Sequence, residues 1–321
     1  TALAGQNWQL FNLANDYSET TNVAAEYPAK ARELRALWND WARNVGLNVP
    51  GEIPDTPKEL VFYYPFDEDF KDATDNHYDL TAVPIRTPAT FVEGKYGSAI
   101  KLNGSNQYLD MTTNGVVNTA NTQYTVCAWV YDDATILPTT GNAENGYYFR
   151  DQIIMAQRDN EGTGRITLYA RVENPAGEGD VRYYWNSFLG GRHNPSSIGT
   201  FKRGQWQHVA IVCDPANQEI TYFIDGERDL TVMAQPFEAC TGGFRIGAHK
   251  SGNSGFWNGK IDEVYFFKGT LSGEEIRKLR DNTYFEGTNG LNLQHASWNL
   301  IYNQESKTLQ ILQTAAPIEN V

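Results

Sequence analysis

The sequence predicts a mainly β protein built as an antiparallel β-sandwich, with a small strand-plus-helix segment at its N-terminal end. From residue 59 onward, short segments alternate apolar and polar residues, which is the pattern of strands that bury one face. Asn-Gly, Asp-Gly and Gly-Gly pairs separate several of these segments, as tight turns between strands do. No helical pattern lies between them, which favours antiparallel pairing in two stacked sheets.

The positions of the strands follow from this alternation. They are predicted at residues 60–66, 98–102, 108–111, 124–131, 152–157, 165–172, 181–186, 206–212, 219–224, 244–248 and 260–267. Ser272 and Glu275 then form a capping-box pattern, which predicts a short helix over residues 272–280. The final residues, 298–321, predict a β-rich tail with a turn at residues 304–307.

The composition is that of a folded, acidic protein. Hydrophobic residues make up 40% of the chain and aromatic residues 13%, which is enough for a large core. The formal net charge of −13 argues against nucleic acid or anionic lipid as a partner. No apolar run is long enough to span a bilayer. The cysteines, Cys127, Cys213 and Cys240, form no C-x-x-C pair, so buried free thiols are favoured over a zinc site or a disulfide framework.

Residues 1–46 differ in character from the rest of the chain. Residues 8–13 predict a short strand. Pro28 and Gly46 then begin and end a predicted amphipathic helix. Its apolar side chains alternate spacings of three and four: Ala31, Leu34, Trp38, Trp41 and Val45. Residues 47–58 hold three prolines and a glycine, which predicts a semi-stiff linker.

This N-terminal stretch resembles the C-terminal end of the arylsulfatase family. Residues 8–13 match its W-x-L-[YF]-[ND]-L strand, and the two tryptophans of the helix match a pair found there. The D-x-x-E-x-x-N-x-A motif between them is matched by Asp16, Glu19, Asn22 and Ala24, with Tyr17 where a proline is usual. The resemblance implies that the parent protein is a sulfatase, a sulfuric ester hydrolase, whose catalytic domain lies upstream and is a partner of this chain.

The catalytic motif of that family has no full match in this chain. A sulfatase nucleophile is a formylglycine made within C/S-x-P-x-R. The nearest match is Cys213-Asp-Pro-Ala-Asn217, which has Asn in place of the Arg and follows an apolar strand pattern. We interpret it as an ordinary exit from a strand into a turn.

Residues 59–283 resemble the laminin G-like branch of the concanavalin A-like lectin/glucanase superfamily. The resemblance depends on motifs in the family's order and spacing, at residues 64–67, 94–110, 206–226 and 244–276. It implies a concanavalin A-like jelly roll for the sandwich.

The tail, residues 284–321, resembles the start of a C-terminal sorting domain of the Bacteroidota type. This implies a bacterial protein that is secreted or held at the cell surface or in the periplasm.

In this scaffold, catalytic carboxylates would lie together on a single strand. Glycanases of this scaffold carry E-x-D-x-x-E, which places the acid and the nucleophile on one sheet face. No strand of the sequence carries that triple. Asp225, Glu227 and Asp229 alternate but begin in a turn, and Asp262 and Glu263 are neighbours, which predicts opposite faces. The chain is therefore predicted to be non-catalytic, with a glycanase or lyase as an alternative.

An acidic segment after the first sandwich strand raises the question of calcium. Its carboxylates are Asp67, Asp69, Asp72, Asp75 and Asp79. Calcium prefers several carboxylate and carbonyl oxygens, but the segment lacks the EF-hand pattern. Many members of the family that residues 59–283 resemble bind one calcium near the edge of the sandwich. We therefore predict a structural Ca²⁺ held by Asp67 and Asp262, and a solvated acidic loop is the alternative.

Two long insertions are predicted, at residues 132–151 and 173–200. With a glycine-rich turn nearby, they supply a candidate ligand-binding set: Tyr147, Tyr148, Arg182, Tyr184, Trp185, Arg192, His193 and Trp257. Aromatic faces suit sugar C–H surfaces, and arginine pairs with carboxylate or sulfate. Each aromatic taken alone is also compatible with sheet packing.

The preferred function is a non-catalytic, carbohydrate-binding accessory region of a secreted sulfatase-like hydrolase that acts on glycans, including sulfated ones. The expected partner is a polysaccharide. One alternative is a structural module that packs against the catalytic domain.

Overall fold

The computed structural model describes the sandwich almost completely. The described residues are 9–24, 26–27, 30–31, 34, 38, 58–118, 120, 122–133, 137, 146–158, 166–189, 192–233 and 239–285, with two further strands at 298–303 and 308–313. Only the backbone is described for residues 189 and 192 and for the strands at 298–303 and 308–313. No helix within these described residues is long and apolar enough to cross a membrane.

The described chain is organised mainly as strands. In chain order they are β1 (Glu59–Tyr64), β2 (Leu80–Val83), β3 (Thr90–Glu93), β4 (Ser98–Asn103), β5 (Tyr108–Met111), β6 (Tyr124–Asp132), β7 (Tyr147–Gln157), β8 (Thr167–Pro175), β9 (Arg182–Leu189), β10 (Arg192–Pro195), β11 (Trp206–Asp214), β12 (Glu219–Ile224), β13 (Glu227–Met233), β14 (Phe244–Ile246), β15 (Asn258–Lys268), β16 (Trp298–Asn303) and β17 (Thr308–Gln313). A helix, α1 (Gly273–Arg280), follows β15.

Two antiparallel sheets form the sandwich, which confirms the predicted fold class. The first sheet has the order β13-β12-β11-β6-β15-β4-β3, and β1 also pairs with β15. The second has the order β10-β9-β8-β7-β14-β5-β2. Many neighbours are distant in sequence, as the crossovers of a jelly roll require. β16 and β17 pair with each other, as predicted for the tail.

The two predicted insertions are corrected by the structure. β7 already begins at Tyr147, β8 continues to Pro175, and β9 and β10 occupy much of the second segment. β2, β3, β10 and β13 are further strands that the alternation does not predict. The outward positions of β7 to β9 hold aromatic and charged side chains together, so the apolar–polar alternation is hidden there.

The N-terminal segment also departs from its prediction. The described residues 9–13, expected within a strand, form a loop whose Leu10 backbone bonds to Asn22 Oδ1 and to the Val23 backbone. Lys30, Ala31, Leu34 and Trp38 are helical, as the predicted helix requires. Trp8, Trp41, Val45, Gly46 and most of the predicted linker lie outside the described residues.

The main core lies between the two sheets and is rich in aromatic rings. Phe62, Phe244 and Phe266 form a triangle with ring centroids 5.1–5.3 Å apart. Trp185 and Trp257 are fully buried in the same core. Burial of such a side chain stabilises the fold by about 1.5–3 kcal/mol. Both tryptophans were predicted to contact ligand, and that prediction is corrected, since their rings fill the core.

A second core lies on the outer side of the first sheet, under α1. Ile276 and Leu279 of the helix pack there with Tyr63, Cys127 and Tyr265. The predicted capping box is present: the Glu275 backbone N–H donates to Ser272, and the Ser272 backbone N–H donates to the Glu275 carboxylate. It satisfies two donors at the helix start and so holds the helix on the sheet.

The cysteines are buried free thiols, as predicted. Burial raises the pKa of Cys213 to about 12. Thiols that stay protonated in this way are poor nucleophiles and poor metal ligands.

Candidate functional site

A polar, partly exposed array lies on the outer face of the second sheet, where β7, β8 and β9 run side by side. Cross-strand register aligns Asp151, Arg171 and Tyr184 in one row, and Glu173 and Arg182 pair beside it. Alternation turns the intervening residues, such as Val172 and Trp185, into the core. We call this array the β7–β9 face and define it by Tyr147, Phe149, Asp151, Tyr169, Arg171, Glu173, Arg182, Tyr184 and His193.

Arg171 is the central cation of the β7–β9 face. Its Nε and Nη2 donate to the two carboxylate oxygens of Asp151, at 2.7 and 2.9 Å. Its Nη1 lies 3.9 Å from Glu173 Oε1. Burial acts against the guanidinium charge, but the hydrogen bonds and charge of Asp151 outweigh it, so the pKa of Arg171 is raised. A bidentate pair of this kind holds both side chains in one geometry.

Glu173 joins the second cation to the network. It accepts a hydrogen bond of 2.6 Å from the Tyr184 hydroxyl and lies 3.7 Å from Arg182 Nη1. Burial of the Tyr184 hydroxyl, reinforced by this hydrogen bond, raises the pKa of Tyr184, which therefore remains a neutral donor. The carboxylate is thereby held between a hydroxyl and two guanidinium groups.

Aromatic rings flank both arginines. The Arg182 guanidinium lies 4.1 Å from the ring centroid of Tyr147, and that of Arg171 lies 4.5 Å from Phe149. At the other end of the face, the Tyr169 hydroxyl contacts His193 Nδ1 in a short hydrogen bond. The face thus places the partly exposed ring of Tyr147 and the exposed ring of Phe149 beside hydrogen-bonding groups, which suits a ligand with both apolar and polar faces.

The structure brings together half of the predicted ligand-binding set. Tyr147, Arg182, Tyr184 and His193 belong to the β7–β9 face. Alternation places Tyr148 on the opposite side of β7 from Tyr147. The side chain of Arg192 lies outside the described residues, and Trp185 and Trp257 are in the core.

Sequence reasoning missed the centre of this face. Phe149, Asp151, Tyr169, Arg171 and Glu173 were not singled out. A signal was available, because these residues are spaced by two along β7 and along β8. If the predicted strands had been lengthened to residues 147–157 and 167–175, this spacing would have placed an aromatic and a charged residue on the outer side of each strand.

The two predicted calcium ligands also lie close together. The glycine-containing loop at residues 94–98 donates backbone N–H groups to both: Ser98 to Asp67 Oδ1 at 2.9 Å, and Lys95 and Tyr96 to Asp262 Oδ2 at 2.8 and 3.1 Å. A Cβ at Gly94 would lie 2.7 Å from Asp262 Oδ2, and one at Gly97 would collide with Asp67. Two glycines therefore let the loop wrap both carboxylates.

A bulge in β15 corrects the prediction that Asp262 and Glu263 face opposite ways. Pairing with β6 shifts register between Asp262 and Tyr265, and Glu263 has φ +52°. Ile261 and Val264, on either side, both point into the main core. The two acids between them consequently share the outer side, where Glu263 accepts hydrogen bonds from the hydroxyls of Tyr63 and Tyr265.

This arrangement leaves Asp262 with an unusual carboxylate. Burial, the neighbouring charge of Glu263 and that of Asp67 raise its pKa to about 8, against the hydrogen bonds from Tyr96 and Lys95. Its Oδ1 is buried without a hydrogen-bond partner. The described residues contain no cluster of three or more histidine, cysteine or acidic side chains suited to a metal. A cation here would use the free oxygen of Asp262, with Asp67 and backbone carbonyl groups.

Three other acids of the loop, Asp69, Asp72 and Asp79, have structural roles. Asp72 is buried and accepts backbone N–H groups of Tyr63, Thr74 and Tyr78. Asp79 accepts the backbone N–H of Asp72, and Asp69 accepts that of Lys71. These carboxylates therefore shape the loop that follows β1.

Comparison with known families agrees with this fold. The model of the concanavalin A-like lectin/glucanases superfamily matches residues 103–277, which is more than half of the chain. The chain therefore belongs to this superfamily. No curated protein matches the chain.

Several solved structures are similar to parts of this chain. Domain 4 of an extracellular arabinanase from Geobacillus stearothermophilus, in complex with arabinotriose, is 20% identical over 70% of this chain and 98% of that one, with a TM-score of 0.49. A structure of botulinum neurotoxin type C, whose cell entry depends on two ganglioside molecules, is 10% identical over 80% of this chain and 61% of that one, also at 0.49. The CBM40 of the Ruminococcus gnavus IT-sialidase, bound to α2,3-sialyllactose, is 12% identical over 50% and 84%, at 0.34.

Proposed function

We propose that this chain is a non-catalytic carbohydrate-binding module and that the β7–β9 face is its glycan site. The observation that supports this is the co-facial array of rings and charged hydrogen-bonding groups on three adjacent strands. Tyr147 and Phe149 present ring surface to sugar C–H groups, and Asp151 and Glu173 accept sugar hydroxyls. The face is open and small, so we expect binding in the sub-millimolar range.

The geometry of the acids favours binding over hydrolysis. Asp151 is engaged at both oxygens by Arg171, and Glu173 by Tyr184 and Arg182. A hydrolase of this scaffold needs one carboxyl group that can give up a proton to the leaving oxygen. Carboxylates held by guanidinium groups are instead stable hydrogen-bond acceptors.

Polysaccharide binding tests this proposal directly. The chain would be run in affinity electrophoresis against a broad panel of polysaccharides, and positives would be measured by calorimetry. Tyr147→Ala should weaken binding by about tenfold, since one stacking contact is worth about 1–2 kcal/mol. Tyr17→Ala is the matched control, because Tyr17 is 91% exposed and lies in the N-terminal loop. Absence of binding across the panel, or an equal loss in both variants, would refute the site.

We further propose that Asp67 and Asp262 hold a structural Ca²⁺. The support is the buried, unpartnered Oδ1 of Asp262 and the glycine loop shared with Asp67. The ion would neutralise a crowded pair of carboxylates and fix the loop at residues 94–98. EDTA should then lower the Tm of the wild type, and added Ca²⁺ should restore it.

Asp262→Asn separates this proposal from its alternative, a protonated carboxyl group. The amide copies the shape of the protonated acid but supplies no charge to a cation. If calcium is bound, EDTA should leave the Tm of the variant unchanged while lowering that of the wild type. If Asp262 is protonated instead, EDTA should leave the Tm of both the wild type and the variant unchanged.

The chain is also proposed to be the accessory region of a bacterial, secreted sulfatase-like hydrolase. In the N-terminal loop, Asp16 accepts the backbone N–H groups of Thr20 and Thr21, and Asn22 accepts that of Leu10. The matched acid and amide thus have a defined role in shaping this segment. Sequencing upstream of Thr1 should reveal a C/S-x-P-x-R motif, and its absence there would contradict this parentage.

A further inference from the structure

The charges of the β7–β9 face bear on the kind of glycan it takes. Among its described side chains there are two cations, Arg171 and Arg182, and two anions, Asp151 and Glu173, and each cation lies against an anion. The face therefore has no excess of either charge. A site for sulfate or uronate would instead carry uncompensated arginine or lysine.

The Arg171 guanidinium is already occupied. Its Nε and Nη2 donate to both oxygens of Asp151, and Nη1 faces Glu173. Its planar surface is near the rings of Phe149 and Tyr169, with the guanidinium carbon 4.5 and 5.8 Å from their centroids. A sulfate group would have to displace Asp151 to obtain the bidentate contact that arginine offers to oxyanions.

Exposure adds to this argument at the centre of the face. The side chain of Arg171 is 6% exposed, whereas those of Asp151 and Glu173 are 24% and 15% exposed. An approaching ligand thus meets carboxylate oxygens before it meets the central guanidinium. Arg182, at the edge of the array, is 40% exposed, but it lies beside Glu173 and on the ring of Tyr147. The accessible carboxylates of Asp151 and Glu173 would repel a negatively charged ligand at short range, which disfavours an anionic ligand.

We infer that the β7–β9 face binds an uncharged stretch of polysaccharide and discriminates against sulfated or carboxylated sugars. A hydroxyl group both donates and accepts hydrogen bonds, whereas a sulfate ester oxygen accepts only. The Arg182–Glu173 pair presents an accessible donor next to an acceptor, and neighbouring hydroxyls of a sugar ring match that combination. This inference rests on the proposed glycan-binding function and names the class of ligand that the same face takes.

The test uses polysaccharides in matched neutral and sulfated forms: laminarin and laminarin sulfate, dextran and dextran sulfate, and carrageenan with its solvolytically desulfated product. Binding of the whole chain is measured by calorimetry at low and high NaCl. The neutral member of any pair that binds should bind about tenfold more tightly than its sulfated partner at low salt. The affinity of the chain for the neutral polysaccharide should change little with salt, because the two form no ion pair.

Glu173→Gln assigns the discrimination to this face. Removing that charge should narrow the difference between the two forms to about threefold or less, since one repulsive charge is lost. Glu178→Gln is the matched control, because Glu178 is an exposed acid of the turn between β8 and β9. Its substitution changes the net charge by the same amount as Glu173→Gln. It should leave the preference unchanged.

The outcomes separate this inference from the proposed function. Tighter binding of a sulfated form by the wild type would overturn the inference and leave glycan binding intact. A neutral preference that persists in Glu173→Gln would also overturn it. Failure of all six polysaccharides and of the broader panel to bind would refute the proposed function itself.

Discussion

The two sheets of the sandwich use their outer faces in opposite ways. The first sheet is covered by α1, and its outward side chains Tyr63, Tyr265 and Glu263 are buried beneath it. The second sheet leaves its β7–β9 face partly open: Asp151, Glu173 and Arg182 are partly accessible, whereas Arg171 is buried. Both faces contain tyrosine–glutamate hydrogen bonds, one fully buried and one partly buried. The comparison shows that the same chemistry stabilises a fold when it is covered and remains available for binding when it is open.

The largest expected difference between the faces is in the cost of losing an apolar side chain. Ile276→Ala removes a fully buried contact of α1 and should lower the free energy of unfolding by about 2–5 kcal/mol. Phe149→Ala, on the open face, should change it by about 0.5 kcal/mol or less. Urea denaturation of both variants measures the difference. Equal losses would mean that the β7–β9 face is also covered in the folded chain.

The next difference concerns the tyrosine–glutamate hydrogen bonds. Tyr63→Phe removes a buried donor from Glu263, at 2.8 Å, and should cost about 1.5–3 kcal/mol, because the carboxylate cannot turn to water. Tyr184→Phe removes a donor at 2.6 Å from Glu173, which keeps its arginines and its access to solvent, and should cost about 1 kcal/mol or less. Thermal unfolding at one pH compares the pair. A larger loss in Tyr184→Phe would reverse the assignment of sealed and open faces.

A third difference appears as pH falls. His208, on the covered side, is fully buried, neither ring nitrogen has a hydrogen-bond partner, and its ring lies edge-to-face with Trp129. Burial, together with the charge of Arg280 and against that of Asp281, lowers its pKa to about 3. The unfolded chain therefore takes up a proton below about pH 6.5, while the folded chain does not.

Stability should consequently fall as pH drops from about 6.5 toward 3. The contribution of His208 amounts to about 2 kcal/mol at pH 5. His208→Phe should flatten this part of the stability curve, measured by urea denaturation between pH 7 and pH 5. The matched control His77→Gln replaces an exposed histidine and should leave the slope unchanged. A slope that persists in His208→Phe would assign the acid sensitivity to other groups.

Prediction from the sequence succeeded where a single strand contained the signal. The strand signals of β6 and β11, the Asp225–Gly226 turn and the capping box at Ser272 are local, and each element is present as predicted. β3 and β10 were missed because they have four residues each and mixed polarity, so their pairing depends on a neighbour. The prediction that Trp185 and Trp257 contact ligand was wrong for a related reason, because the register of a strand decides whether an aromatic residue faces the core or solvent.

The candidate site illustrates the same limit at the level of chemistry. Tyr147, Arg182, Tyr184 and His193 could be named from composition, but their partners Asp151, Arg171 and Glu173 could not. Those partners become visible when β7, β8 and β9 are in register, because ion pairs across strands have no sequence spacing of their own. Arg182, expected to meet a carboxylate or sulfate of the ligand, lies beside Glu173 of the chain itself.

By itself the sequence determined the class of fold and the order of its strongest strands, because hydrophobic alternation and turn chemistry act over a few residues. The superfamily was indicated separately, by the resemblance of motifs within residues 59–283. Tertiary structure decided which outer face is covered, which aromatic rings are buried and how charges pair across β7, β8 and β9. It also decided that the β15 bulge turns Asp262 and Glu263 to the same side. These outcomes depend on register and packing between distant segments, and an ion pair or a buried carboxylate exists once those segments have met.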